Sequence, residues 1–290
     1  DSGVLGAFLS AAIRELKMSS DSLVESGVKE RTASSFAEIM RAEGRNIRTG
    51  MSVLATIGST APFVGVPCVT GSSHVSNFYL KDMASGAIRR LTFEQDHDWC
   101  PTVMNDGRVL YLRWEYTDIP HFVSRILFTM EPDGCSQREY YGSNSYWPNA
   151  MFYARPLPGS ETRFVAVVGG HHDNPRMGEL VLFDAAKGRR EAEGAIQRIP
   201  GYGKPVEPVI LDGLTQSSWP KYLHPYPLSD KYFLVSCRPT PASSWGLYLV
   251  DVFDNMTLIR EMPGYALLEP LPLRATPRPP VIPPRVNLQR

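Results

Sequence analysis

Apolar and polar positions alternate in two different rhythms along this chain. Over the first fifty residues the apolar positions return at helical spacing. Val4, Leu5, Phe8, Leu9, Ala12, Ile13 and Leu16 form one stripe, which Ser19 to Ser22 interrupt. Val28, Phe36, Ile39, Met40 and Ile47 form a second among charged neighbours. Neither stripe is apolar enough for a core helix standing alone, so each needs a partner. From Phe78 onward the rhythm is that of short strands. Phe78 to Asp82, Arg89 to Thr92 and Arg108 to Trp114 are runs rich in β-branched and aromatic residues, split by Ser85-Gly86 and Asp106-Gly107. Asp-Gly tolerates positive φ and predicts a tight turn.

The strand pattern recurs. Ile126 to Met130, Pro132-Asp133-Gly134, Trp147-Pro148 and Arg163 to Val168 make a second unit. Leu180 to Asp184, Lys187-Gly188, Trp219-Pro220 and Tyr232 to Val235 make a third, and Leu247 to Asp251 with Leu258 to Arg260 begin a fourth. Asp82, Asp184 and Asp251 close the opening strand of their units, and Trp99, Trp147 and Trp219 mark the corners. The period, roughly 50 to 65 residues, is at or above the upper end for propellers and arrays. Such a unit cannot bury both sheet faces alone, so neighbours must stack. The expected fold is mainly β: an incomplete β-propeller of three repeat units plus the start of a fourth, behind an α-helical N-terminal segment. Propellers close with about four to eight blades, so open edges are expected to attract protein partners. Recurrence of the tryptophans predicts packing between blades.

Three divisions follow: a helical segment at 1–66, a propeller-like domain at 67–262 and a proline-rich arm at 263–290. Thr49 to Thr70 carries no charged side chain and follows Arg41, Arg45 and Arg48. It reads either as a membrane helix at 49–70, weakened by Pro62, Gly65 and Pro67, or as a buried linker. As a span it would leave the arginines cytoplasmic and export the propeller, placing the protein in a bacterial inner membrane with a periplasmic domain. In the arm, Pro270, Pro272, Pro277, Pro279, Pro280, Pro283 and Pro284 forbid helix and central strand. It is expected to wrap the last blade or lead to a further domain, and its composition also suits an SH3-type ligand.

Charge is balanced, with 30 basic and 30 acidic residues, which gives no footprint for nucleic acid. Cys68, Cys100, Cys135 and Cys237 lie far apart without a C-x-x-C pair, so no zinc ribbon or covalent haem is expected. A Cys100–Cys135 disulfide is compatible with the spacing, as are four separate thiols. The chain opens on Asp1 without a signal peptide, which predicts a fragment or processed piece. Among candidates for chemistry, His171-His172-Asp173 follows a Gly-Gly strand end and combines imidazole with carboxylate, a metal-competent or catalytic set. Adjacent residues on an extended chain face opposite ways, however, which sets the two imidazoles apart. His97 and His121 share that ambiguity, and His224 reads as structural. Glu115, Tyr116 and Asp118 form an acidic-aromatic cluster. No G-x-S-x-G, H-E-x-x-H or Walker-type loop occurs, so the expectation is no cofactor and no activity in this piece.

Two resemblances overlie this reading. Glu30 to Met40 and Gly50 to Gly65 resemble the MotA/TolQ/ExbB proton-channel family, closest to ExbB, over about residues 1 to 66. That resemblance implies a cytoplasmic helix entering a membrane helix, but it breaks at Pro67-Cys68-Val69-Thr70, so a proton path does not carry over. From about Ser76 to Leu288 the chain resembles the middle propeller region of hydrazine synthase alpha-subunit-like proteins. Gly107 to Asp118, Gly142 to Asn149, Arg176 to Asp184, His224 to Cys237 and Tyr248 to Asn255 carry it, with TolB-like Leu-Thr and Trp-Pro corners. The family implies multihaem c-type enzymes, yet C-x-x-C-H is absent here. Two resemblances meeting near Val66 imply a chimera.

Overall fold

A computed structural model describes residues 52–58, 76–82, 85–94, 97–115, 125–173 and 176–286. The helical expectations before residue 49 lie outside them, as do Cys68, Tyr116, Asp118 and His121. The described elements are all strands: β1 (Ser52–Gly58), β2 (Ser76–Asp82), β3 (Ile88–Arg90), β4 (Asp98–Val103), β5 (Val109–Trp114), β6 (Arg125–Met130), β7 (Arg138–Tyr141), β8 (Ala150–Pro156), β9 (Arg163–Gly169), β10 (Glu179–Asp184), β11 (Ala195–Ile199), β12 (Lys221–Pro227), β13 (Tyr232–Arg238), β14 (Gly246–Asp251) and β15 (Met256–Arg260). No helix among the described residues is long and apolar enough to cross a membrane. Ser52–Gly58, inside the run read as a membrane helix at 49–70, is instead strand β1. Val53, Thr56 and Ile57 are β-branched, and that composition favours the extended chain.

The chain divides into two compact units, Asp1–Ser52 with Asp82–Ser85, and Val53–Lys81 with Gly86–Arg290. Of the first, Ser52, Asp82 and Ser85 are described, and Asp82 Oδ1 accepts hydrogen bonds from the Ser85 amide and hydroxyl at 2.7 Å. The second holds three sheets in which β1-β2-β3 and β12-β13-β14-β15 are separate, and none closes on itself among the described residues. The largest runs β11-β10-β9-β8-β6-β5-β4, with β7 paired to β6. It is two four-stranded antiparallel meanders, β4 to β7 and β8 to β11, joined by the single parallel pair Arg125↔Ala150.

The sheets therefore cut the sequence repeat at a different point from the one its strand order suggests. A sequence unit begins at β2, β6, β10 or β14, but each complete sheet begins at β4, β8 or β12. Neighbouring sheets are stitched at one recurrent place, where the start of a third strand meets the start of the next first strand. Ser76 Oγ donates to the Asp98 carbonyl at 3.3 Å, Arg125 pairs with Ala150, and Gly178 bridges Tyr222. A Cβ on Gly178 would stand 2.0 Å from the Val168 carbonyl oxygen, so only glycine allows this approach.

Burial follows position within the sheet. Leu110 to Leu112 and Phe164 to Val168 are covered on both faces, because sheets pack against each side, whereas most of β15 is exposed. This is why β5 and β9 are continuous apolar runs rather than strict alternations. Phe164 stacks on Phe183 at 5.0 Å, and Phe78 meets Tyr111 edge-on at 5.2 Å in a smaller core beside it. A buried polar knot sits between: Arg113 binds Asp98 at 2.9 Å, Glu94 at 3.0 Å and Gln137 at 2.7 Å.

Candidate functional site

The three first strands share a defect. The ladder register shifts between Trp99 and Thr102 in β4, between Phe152 and Arg155 in β8, and between Leu223 and Tyr226 in β12. At each break one residue takes a left-handed backbone: Cys100 at φ 54°, Tyr153 at 52° and His224 at 49°. A non-glycine residue there costs about 1–3 kcal/mol, so the surrounding structure must enforce it. In β4 and β12 the following residue is a proline, Pro101 or Pro225, which has no N–H for the ladder. A bulge re-aims its side chain, and these three are aimed at one another.

They line a single cavity of about 210 Å³ together with Thr102, Arg155 and the arm segment Glu269-Pro270-Leu271. The Tyr153 and His224 rings are 4.3 Å apart between centroids. Burial pushes the Cys100 thiol up to about 11 and the Tyr153 phenol up to about 12, so both are neutral near pH 7. Burial also lowers the pKa of His224, against the upward pull of Glu269. Its Nε2 lies 3.6 Å from Glu269 Oε1, and its Nδ1 is buried without a hydrogen-bond partner. Desolvation likewise weakens the protonated form of Arg155, whose guanidinium faces the Tyr226 ring at 5.7 Å. The Arg155 side chain makes no hydrogen bond or direct ion pair among the described residues, and the Glu269 charge favours its protonated form from farther away. The site thus offers neutral donors and one desolvated cation, and no ionised nucleophile.

The arm covers this cavity and continues past it. Leu267 N donates to Trp245 O at 3.0 Å, Pro270 is buried in the cavity wall, and the Pro280 carbonyl lies against Gly107. Farther on, Arg285 pairs with Glu131 at 2.9 Å and its amide donates to Asp133 at 2.6 Å. The arm therefore runs from the last sheet back to the β4–β7 sheet.

The residues singled out in the sequence have other surroundings. His171 is buried against Trp114 at 5.4 Å, and its carbonyl accepts from Arg125 at 3.0 Å. The chain bends here, which brings the His171 and His172 rings to 4.2 Å rather than to opposite faces. His172 Nδ1 lies 2.8 Å from Asp212, and Asp173 accepts from Gly170 N, Thr215 N and the Thr215 hydroxyl. Among the described residues no group of three or more His, Cys, Asp or Glu side chains converges as a metal site. Cys100, Cys135 and Cys237 are free thiols, so the Cys100–Cys135 pairing is not made. Trp147 is fully buried, whereas Trp99 and Trp219 are half-buried. Trp99 also directly precedes its bulge, in register with Phe152 and Leu223, while Trp147 and Trp219 lie upstream of theirs. Asp184 and Asp251 each accept an amide two residues on, Ala186 and Phe253, as turn caps. Glu115 lies 3.9 Å from Arg113. His97 stacks on Trp99 at 4.8 Å and accepts the Ser76 amide on Nδ1 at 3.1 Å.

No protein-family model matches the chain. A 55-residue stretch is 47% identical to the biopolymer transport protein ExbB of Pseudomonas putida, which is 19% of this chain and 17% of that protein. Kuenenia stuttgartiensis hydrazine synthase superposes with a TM-score of 0.53 at 16% identity, over 73% of this chain and 28% of that one. At that identity the likeness is one of fold. The chain spans less than a third of the length of either.

Proposed function

We propose that the β-rich part is a run of propeller blades serving as a non-catalytic binding and scaffolding module of the hydrazine synthase alpha-subunit-like kind. The observation that carries this is the repeated bulge: three consecutive first strands present Cys100, Tyr153 and His224 to one cavity. First strands lining a common channel are what a propeller axis requires, and the recurrent stitches supply the blade-to-blade spacing. The Cys100 thiol and the Tyr153 phenol are neutral, which suits holding a ligand better than attacking one. Hydrogen exchange on the full chain tests this with a panel of small acids, amines, sugars and nucleotides. A ligand should protect the amides around 100–103, 153–155 and 223–226 together. If no compound protects them, the cavity is packing space and the binding role falls.

A second reading is supported by the ExbB-like stretch. In it the chain associates with an inner membrane as part of an energy-transducing assembly, and the blades are its exported domain. Membrane fractionation, with a reporter fused after Ser76, tests it: recovery of the whole chain in the soluble fraction, with a cytoplasmic reporter score, overturns it.

A further inference from the structure

The binding reading leaves the ligand's chemistry open, and Arg155 narrows it. Its guanidinium is half-buried in the cavity wall, faces an aromatic ring, and has no carboxylate partner among the described residues. Glu269 acts on this cation only at longer range, without a direct ion pair, and a carboxylate brought into contact with a desolvated cation offsets more of its cost. The guanidinium fork matches a planar carboxylate in two parallel hydrogen bonds. Around it stand the Thr102 hydroxyl and the His224 ring, polar groups suited to the rest of a small acid. At about 210 Å³ the space is below the range of about 300–1,000 Å³ for drug-sized ligands, which favours a small molecule.

One carboxylate is already at the rim. Glu269 reaches to 3.6 Å from His224 Nε2, yet its side chain remains 73% exposed and makes no ion pair with Arg155. Its own backbone is left-handed, φ 55°, a conformation that non-glycine residues seldom adopt. The arm is thus bent so that Glu269 turns toward the cavity while Pro270 seals its wall.

Building on the binding reading, we propose that this cavity takes a short-chain carboxylate, with Arg155 as its counter-ion and Glu269 as an internal competitor that the ligand displaces. Arm and ligand then exclude one another at the rim, so occupancy loosens the contact between Glu269 and His224.

Calorimetric titration of the full chain with malonate, and with malonamide as the uncharged control, tests this. Malonate should bind and malonamide should not. Arg155→Gln should weaken malonate at least tenfold, Arg155→Lys should recover part of the loss, and Glu269→Gln should tighten binding several-fold. Equal binding of malonamide, or unchanged affinity in Arg155→Gln, overturns the carboxylate assignment. Affinity unchanged in Glu269→Gln overturns the competitor role. If Arg155→Gln does not fold, the Lys and Glu269 variants decide. If malonate binds neither parent nor Glu269→Gln, the ligand class is wrong, whereas protection of the first strands by a neutral compound would leave the binding module standing.

Discussion

The loop at His171–Asp173 and the cavity at Cys100, Tyr153 and His224 each bring imidazole together with polar neighbours, but they spend those groups differently. In the loop, Asp173 accepts from Gly170 and twice from Thr215, His172 meets Asp212, and the His171 carbonyl takes Arg125. In the cavity, Arg155 and His224 Nδ1 lack such partners. A polar group that completes its hydrogen bonds inside the fold holds the fold. One that leaves them incomplete near open space has something left for a ligand. Residue type favours the loop, and geometry favours the cavity.

The largest expected effect lies outside both regions, at the Trp147 corner of the shared core. Trp147 is fully buried against Phe183, so Trp147→Ala should cost about 3–5 kcal/mol, measured by urea unfolding. An unchanged midpoint would mean that the sheets do not depend on this corner. Asp173→Ala comes next. It strands the buried Thr215 hydroxyl and amide, at about 1–3 kcal/mol. Malonate affinity should stay at the parental value. A loss of affinity with stability intact would make the loop the functional region and reverse the comparison.

A smaller effect is expected where the arm meets the second sheet. A Cβ on Gly107, at φ +88°, would stand 2.3 Å from the Pro280 carbonyl oxygen, so Gly107→Ala should lift the distal arm. Faster tryptic cleavage after Arg274 and Arg285, with the core resistant, is the expected outcome. Unaltered cleavage would show that the distal arm is held by Arg285 on Glu131 and Asp133 without the Gly107 contact.

The last effect is silent near neutral pH and appears only in acid. Burial, with Arg176 and Arg125 nearby, lowers the pKa of His97 from 6.5 to about 4, and the Ser76 amide donates to its Nδ1. The unfolded chain takes up this proton below about pH 6.5 and the folded chain only near pH 4. Stability from this group is therefore complete above 6.5 and lost as pH falls toward 4. His97→Asn, which keeps an acceptor but does not titrate, should flatten that part of the profile of melting temperature against pH.

Most of the strand runs were legible because β-branched and aromatic residues between Asp, Gly and Pro turns admit few other structures. The turn role of Asp184 and Asp251 was also readable, since an Asx carboxylate finds its amide two residues on without help from the rest of the chain. The span read at 49–70 went the other way at Ser52–Gly58 because a short uncharged run that includes β-branched residues serves a strand as well as a helix. Trp99 was grouped with Trp147 and Trp219 by its recurrence at the unit corners, and strand register sets its position apart from theirs.

The sequence alone determined local matters: where strands run, where they turn, and that Cys100-Pro101 and His224-Pro225 cannot continue a ladder. That last signal was present in the residues, although His224 reads as merely structural without its partners. Only the tertiary structure decided that three bulges, separated by 53 and 71 residues along the chain, open on one cavity. It also decided that Glu269 arrives there and that Arg155 makes no direct ion pair with it. Convergence of this kind depends on how sheets stack and on which strand edge faces inward. Those are set by the packing of many side chains at once, and no short stretch of sequence encodes them.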